Sequence, residues 1–168
     1  MARQEKALHP NLSLTYGEIE LESFLALLSL TQPNPQQVFY DLGCGLGKTV
    51  IAAAKTYQFK KSYGIETLKN LHQIAQQKQK TGASSSDIQF IHGDLRDIHW
   101  HDADILFLNV ASFVPDSWHL ICEKLIQSPA PIIITCSKPR NACAMLLGDY
   151  SCLYSSAYQE YLCSNLIH

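Results

Sequence analysis

The chain has 168 residues, 46 % of them apolar and 17 % charged, with a net charge of −2; this is the composition of one globular domain, residues 1–168, with room for a real core. Arginine occurs only at Arg3, Arg96 and Arg140, so the basic surface of an intrinsic nucleic-acid binder is missing and direct nucleic-acid binding is not expected. No apolar run approaches the ~20 residues of a membrane span, the six cysteines form no Cys-x-x-Cys pair and read as reduced thiols, and the polar start Met1–Lys6 lacks the apolar core of a signal peptide, so the expected location is cytoplasmic or otherwise intracellular.

In chain order, residues 1–15 read as an irregular lead-in. From Glu18 to Leu30, apolar Leu21, Phe24, Leu25 and Leu28 recur at helical spacing. Glu18, Glu20 and Glu22 crowd its start, where the macrodipole favours acids, and Thr31-Gln32-Pro33-Asn34-Pro35 stops it. A first strand is predicted over residues 37–42 and a helix over residues 46–57. A second strand, Ser62–Glu66, ends in an acid and leads into a Gln- and Lys-rich helix to about Lys80; Lys55, Lys60, Lys61, Lys69, Lys78 and Lys80 read as solvated helix faces. After the loop at Gly82–Ser86, a third strand, Ile88–Ile91, closes in His92-Gly93-Asp94. The continuous apolar run Ala103–Leu108, with Asp104 near its start and Asn109 at its end, suits a buried parallel strand. A helix over Pro115–Gln127 has proline in its first turn. Pro131–Cys136 is a fifth strand, Arg140–Leu147 a further helix, and Tyr150–Tyr154 with Ala157–Ser164 a final antiparallel hairpin. Strands alternating with helices give an α/β fold, a mostly parallel Rossmann-like sheet with helices on both faces.

The stretch Val38–Thr49 turns an apolar strand into a helix through Gly43-Cys44-Gly45-Leu46-Gly47. Glycine there bends freely and leaves no Cβ between backbone and ligand, and a helix N-terminus beyond it favours anions. The dinucleotide fingerprint requires a third glycine at the position of Lys48, and the P-loop requires glycine at the position of Leu42 before Gly47-Lys48-Thr49. Asp41-Leu42-Gly43-Cys44-Gly45-Leu46-Gly47 resembles, without a gap, motif I of class I S-adenosylmethionine (SAM)-dependent methyltransferases.

In parallel sheets a ligand sits beyond the carboxyl ends of the strands, and here those ends are Asp41–Gly45, Glu66, Gly93–Asp94 and Asn109. Glu66 is suited to accepting both ribose hydroxyls, the alternative being an ordinary strand-end acid. Asp94 is suited to the exocyclic amine of adenine, with Leu95 packing on the ring; a turn or N-cap acid is the alternative. Asp41 would orient the glycine loop or a ligand ammonium. Two NAD and NTP readings lose ground: the Tyr57–Lys61 spacing falls too early for a short-chain reductase, and the Ala103–Leu108 strand closes in Asn109 rather than the acid a P-loop enzyme uses for Mg²⁺. His99-Trp100-His101 has no third ligand at a persuasive spacing and reads as a loop or strand edge; no metal is expected. Cys44 beside the helix start is either a thiol of lowered pKa or a small residue in a tight loop.

Tyr16-Gly17-Glu18, the glycine loop, Tyr63-Gly64-Ile65-Glu66, Gly93-Asp94, Phe107-Leu108-Asn109-Val110-Ala111-Ser112-Phe113 and Ser137-Lys138-Pro139 occur in this order. Together they resemble the non-SET histone lysine methyltransferases, the Dot-one family. The resemblance implies that Tyr16, Gly17 and Glu18 form a loop over the methionine end of SAM, with Asp41, Gly43, Gly45, Glu66, Asp94 and Leu95 completing the cofactor site. It implies Asn109 at the mouth of a lysine channel, near the transferred methyl, and Phe113 in the channel wall. The family has a second Asn where this chain has Val110, Gln where it has Lys48, and Tyr-Tyr-Leu where it has Glu160-Tyr161-Leu162. Its extra N-terminal helical region and basic nucleosome-binding segment have no counterpart. The expected function is methyl transfer from SAM to a lysine of a protein other than the nucleosome. A small-molecule methyltransferase, a lysine methyltransferase resembling those acting on ATP-synthase c subunits, and a SAM-fold binding domain without turnover are the alternatives.

Overall fold

The computed structural model of the chain describes residues 18–81, 87–110, 115–136, 150–155 and 160–165, with residues 115–117 and the last two segments described by their backbone alone. The lead-in 1–15, the loop Gly82–Ser86, the helix Arg140–Leu147, and Tyr16, Gly17, Phe113 and Ser137-Lys138-Pro139 lie outside the described residues.

The elements are α1 (Leu21–Ser29), β1 (Val38–Leu42), α2 (Lys48–Tyr57), β2 (Lys61–Glu66), α3 (Lys69–Thr81), β3 (Ile88–His92), β4 (Ile105–Asn109), α4 (Pro115–Ile126), β5 (Ile132–Cys136), β6 (Tyr150–Ser155) and β7 (Glu160–Asn165). They form one sheet in the order β3-β2-β1-β4-β5-β7-β6. Strands β1 to β5 pair in parallel, β7 pairs antiparallel with β5, and β6 antiparallel with β7. Every residue of β1 is buried, as a central parallel strand covered on both faces must be.

Alternation along β1 and β4 assigns side chains to two layers. Val38, Tyr40, Leu42, Leu106 and Leu108 pack with Trp118, Ile121 and Leu125 of α4 and with Trp100. Phe39, Ile105, Phe107 and Ile134 pack on the other face with Phe24, Leu27 and Leu28 of α1 and Ala53 of α2. Phe24 anchors that layer, its ring 4.8 Å from Phe107 edge-on and 6.1 Å from Phe39, the tilted geometry that ring quadrupoles favour. Cys44, Val50, Ala54, Ala75, Ile88 and Phe90 close the space beneath α2 and α3.

Several boundaries differ from the periodicity, each for a local reason. Helix α1 opens at Leu21, because Glu20 is the extended N-cap and Glu18 pairs with Lys48 instead of lying in the first turn. Helix α2 opens at Lys48 rather than at 46, since Gly47 holds φ +72°, outside helical geometry. Strand β4 opens at Ile105, two residues late, because Ala103 donates to the Trp100 carbonyl at 3.1 Å and the Asp104 carboxylate accepts the Val38 N–H at 2.7 Å. Trp100, read from sequence as part of a loop or strand edge, sits in a loop with its side chain in the core. Among the described residues, no helix is long and apolar enough to cross a membrane, and no cluster of three metal-ligating side chains occurs.

Gly64, in the middle of β2, leaves room for the glycine loop to lie against the sheet. A Cβ there would stand 2.7 Å from Cys44 Sγ and 2.8 Å from Phe90 Cδ1. Gly64→Ala is therefore expected to destabilise the fold by about 1–3 kcal/mol through overpacking; urea denaturation of the variant against the parent measures it.

Candidate functional site

The strand order reverses between β1 and β4, whose neighbours run to β2 and β3 on one side and to β5 on the other. Such a switch point opens a crevice beyond the strand carboxyl ends. Asp41 pairs with Gly64 and Phe107, Glu66 with His92, and Asn109 with Cys136. The register therefore brings the ends of β1, β2, β3 and β4 to a single edge, and with them the acids singled out from the sequence.

The loop after β1 is fixed by its glycines and by what its N–H groups find. Gly43, Gly45 and Gly47 have φ of +92°, +53° and +72°, left-handed conformations that a Cβ would penalise. Gly43 and Cys44 both donate to the Ile65 carbonyl at 2.9 Å, and Gly47 donates to the Cys44 carbonyl at 2.8 Å. Gly45 donates to Oε2 of Glu66 at 2.8 Å, while Leu68 donates to Oε1 at 2.7 Å. Glu66 is 8 % exposed, yet its charge is met by backbone donors. Its own carbonyl accepts the Gly93 N–H at 3.1 Å, so the acid at the end of β2 ties the loops after β1 and β3 together.

Burial pushes the Glu66 carboxyl up, opposed by the N–H groups of Leu68, Gly45 and Thr67 and by the His72 ring. Asp41, 2 % exposed, is pushed by burial from 3.8 up to about 7; the Thr49 hydroxyl, which donates to Oδ2, opposes the shift, and the Glu66 charge adds to it. Burial likewise raises the Cys44 thiol, with Asp41 and Glu66 adding to the rise. Of the two sequence readings of Cys44, the small residue packed in a tight loop is the one the fold supports, since burial first and the two carboxylates second raise the thiol rather than lower it.

At the end of β3, Asp94 forms a fork with Arg96. Nε reaches Oδ1 at 3.0 Å and Nη2 reaches Oδ2 at 2.6 Å, with the Arg96 backbone N–H on Oδ1 at 2.8 Å. These bonds hold the Asp94 carboxyl below the usual range. Leu95 is buried in the α4 layer. Lys124 of α4 donates to the carbonyls of Leu95, Arg96 and Ile98 at 2.7, 3.0 and 2.8 Å. Asn109 is half-buried at the end of β4, and Val110 packs against the α4 layer. Glu18 lies near the start of α2, ion-paired with Lys48. Asp41, Gly43, Gly45, Glu66, Asp94, Leu95 and Asn109 thus share one edge; Tyr16, Gly17 and Phe113 lie outside the described residues. Arg96 and Lys124 were not singled out from the sequence. An acid two residues before an arginine in a turn was a readable signal for Arg96. Lys124 offered none, since its partners are backbone carbonyls 26 to 29 residues away.

A family profile described as "Histone methylation protein DOT1" matches residues 3–129. The histone-lysine N-methyltransferase, H3 lysine-79 specific, of Caenorhabditis elegans is 29 % identical over 114 residues, 60 % of this chain and 12 % of that protein. Carboxy-S-adenosyl-L-methionine synthase of Shewanella oneidensis is 25 % identical over 115 residues, 65 % of this chain and 46 % of that one. The matched stretch spans less than half the length of either relative. Among solved structures, an RNA methyltransferase from Salinibacter ruber in complex with S-adenosyl-L-homocysteine superposes with a TM-score of 0.70 at 20 % identity, over 89 % of this chain and 94 % of that one. Magnesium protoporphyrin IX methyltransferase from Synechocystis PCC 6803 with bound SAM superposes at 0.66 and 16 % identity, over 96 % and 89 %. The fold is therefore the Rossmann-like one of these methyltransferases.

The raised Asp41 carboxyl carries a stability signature. Its neutral form is favoured in the fold, so its contribution is fully present below pH 3.8 and is lost as pH rises towards about 7. Asp41→Asn removes that loss and is expected to raise stability at pH 8 relative to pH 5 by up to about 3 kcal/mol, the part of the loss that falls between pH 5 and about 7. Chemical denaturation of both proteins at the two pH values gives the difference.

Proposed function

Because the chain belongs to the family described as histone methylation protein DOT1, we propose that it is a SAM-dependent methyltransferase whose favoured acceptor is the amine of a protein lysine. The observation that carries this is the pair of buried carboxylates, Asp41 and Glu66, with Glu66 accepting the Gly45 N–H at the switch point of the sheet. SAM supplies an electrophilic methyl on a positively charged sulfur.

The donor set suits that group. Each Glu66 oxygen accepts a backbone N–H and a carboxylate offers about four lone-pair sites, so acceptor capacity remains for a ribose hydroxyl. Asp94 has one lone-pair site left after Arg96, directed to the adenine amine, and Leu95 gives the ring an apolar neighbour. Asp41, poised near neutrality by burial, ionises when a cation stands beside it. It takes the ammonium end of the ligand together with the Gly43 and Gly45 backbone and the Tyr16-Gly17-Glu18 segment. The match to the curated relatives leaves the acceptor to this chain's own residues: Asn109 orients the incoming amine, and the family resemblance assigns Phe113 to the channel wall.

Methyl transfer is an in-line displacement, and alignment of nucleophile, carbon and leaving sulfur is what the residues contribute, worth ~7–11 kcal/mol when complete. A lysine acceptor must first lose its proton; an apolar channel lowers its pKa by desolvation. Asn109 orients and does not abstract a proton, since an amide has no basic site at neutral pH.

Calorimetric titration with SAM, with ATP–Mg²⁺ and NAD as controls, tests the cofactor. The parent protein is expected to bind SAM at micromolar concentration and to ignore both controls. Glu66→Ala is expected to weaken SAM about 100-fold, as loss of charge-assisted hydrogen bonds does. ATP binding without SAM binding overturns the reading in favour of a degenerate P-loop at Gly47-Lys48-Thr49. Transfer of labelled methyl to peptides, and not to RNA or small metabolites, tests the acceptor. Asn109→Ala is expected to keep SAM affinity within about twofold while transfer falls about 10²-fold or more, the pattern of a residue acting on the nucleophile.

A further inference from the structure

Lys124 lies on α4, on the face of the sheet opposite α1 and α2, and is absent from the motifs that define the site. A lysine normally keeps its ammonium in water. Here all three N–H donors are spent on the carbonyls of Leu95, Arg96 and Ile98, and the charge stands 4.3 Å from the ring centroid of Trp100, itself 3 % exposed. Three carbonyls of one turn converge on one point only if the turn wraps that point. The rest of the turn agrees: Asp97 and Ile98 donate to the Asp94 carbonyl at 3.0 and 3.1 Å, and Ile98 fills the space that a Cβ on Gly93 would need.

We propose that Lys124 is the positioning residue of the adenine subsite, fixing the turn 94–98 that presents Asp94 and Leu95 and thereby setting the preference for an adenine ring. This rests on the cofactor reading given above. The chain of effect is short. Arg96 accounts for three of the four lone-pair sites on Asp94, two on Oδ1 and one on Oδ2, so the direction of the remaining one is set by where the turn holds Asp94 and Arg96. Lys124 holds the carbonyls of Leu95 and Arg96, and with them the neighbouring apolar surface. An adenine amine donates to that free site. A ring carbonyl in its place would set an acceptor against a carboxylate, which is strongly disfavoured. Burial lowers the Lys124 pKa while Asp97 and Asp94 oppose the change, in keeping with a charge held for its hydrogen bonds rather than for solvation.

The test is calorimetric binding of S-adenosyl-L-homocysteine and of S-inosyl-L-homocysteine, whose ring carries a carbonyl where adenine carries the amine. The parent is expected to prefer the adenosyl compound by at least about tenfold. Lys124→Met is expected to lose most of that preference, with adenosyl affinity falling about tenfold and inosyl affinity within about twofold of the parent. Lys124→Arg, which keeps charge and donors, is expected to retain the preference. Parallel loss of both affinities in Lys124→Met, or an unchanged ratio with a lowered Tm, overturns the proposal, because a merely structural lysine does that. Should Lys124→Met fail to fold, Lys124→Gln is read in the same way. A parent that binds neither compound overturns the cofactor reading itself, an outcome distinct from a parent that discriminates and a variant that discriminates equally.

Discussion

The hydrogen bond from the Gly45 N–H to Oε2 of Glu66 is the contact on which the edge of the sheet depends. It joins the loop after β1 to the residue that ends β2, and does so with a charged acceptor, the stronger kind of hydrogen bond. Without Gly45 and Leu68 as donors, a carboxylate this deeply buried would keep only the Thr67 N–H and the His72 ring against its desolvation. Without Glu66, the Gly45 N–H would be a buried orphan. Each group requires the other. The loop is further pinned by two N–H groups on the single Ile65 carbonyl, so its path is set by β2 before any ligand is considered.

The layers behind the edge explain why it can be so rigid. β1 is buried along its whole length, with Tyr40 stacked on Tyr63 at 4.5 Å on one face and Phe39 stacked on Phe59 at 5.5 Å on the other. The Tyr40 hydroxyl donates to Asp102 at 2.8 Å, and burial with that acid neighbour raises its pKa. Both faces of the strand that leads into the glycine loop are therefore locked by aromatic packing. Phe24 performs the same task for α1, which carries Glu18 at its entrance to within reach of Lys48. Packing at the centre of the sheet thus sets side-chain positions at its rim.

Much of this was legible in the sequence because it rests on periodicity and on glycine. The apolar runs gave the five parallel strands, and the acids closing them gave the positions along the edge. What the pattern could not give were the places where side chains act on backbone. The entry to β4 shifts because the Asp104 carboxylate caps the Val38 N–H, a contact 66 residues apart in sequence. The entry to α2 shifts because Gly47 takes a left-handed φ, which the apolar spacing does not encode. The choice between the two readings of Cys44 was not legible either, because its burial and the two buried acids beside it are properties of the folded edge alone. Arg96 is adjacent to Asp94 in sequence, whereas Lys124 reaches its carbonyls only because α4 packs beneath the turn.

The electrostatics of the edge divide into two unlike halves. On the β1–β2 side, two carboxylates are buried together and each is pushed up, Asp41 to about 7. On the β3 side, Asp94 is surrounded by Arg96 and Lys124 and is held down. The first half is costly to the fold above neutral pH and becomes favourable when a cation lies against it; the second is already neutralised and offers direction rather than charge. The two halves therefore differ in kind: the β1–β2 side favours a positive group, and the β3 side, already neutralised, favours a neutral hydrogen-bond donor. The stability sacrificed at Asp41 is the kind that functional sites carry, since a fold optimised for itself would place an amide there.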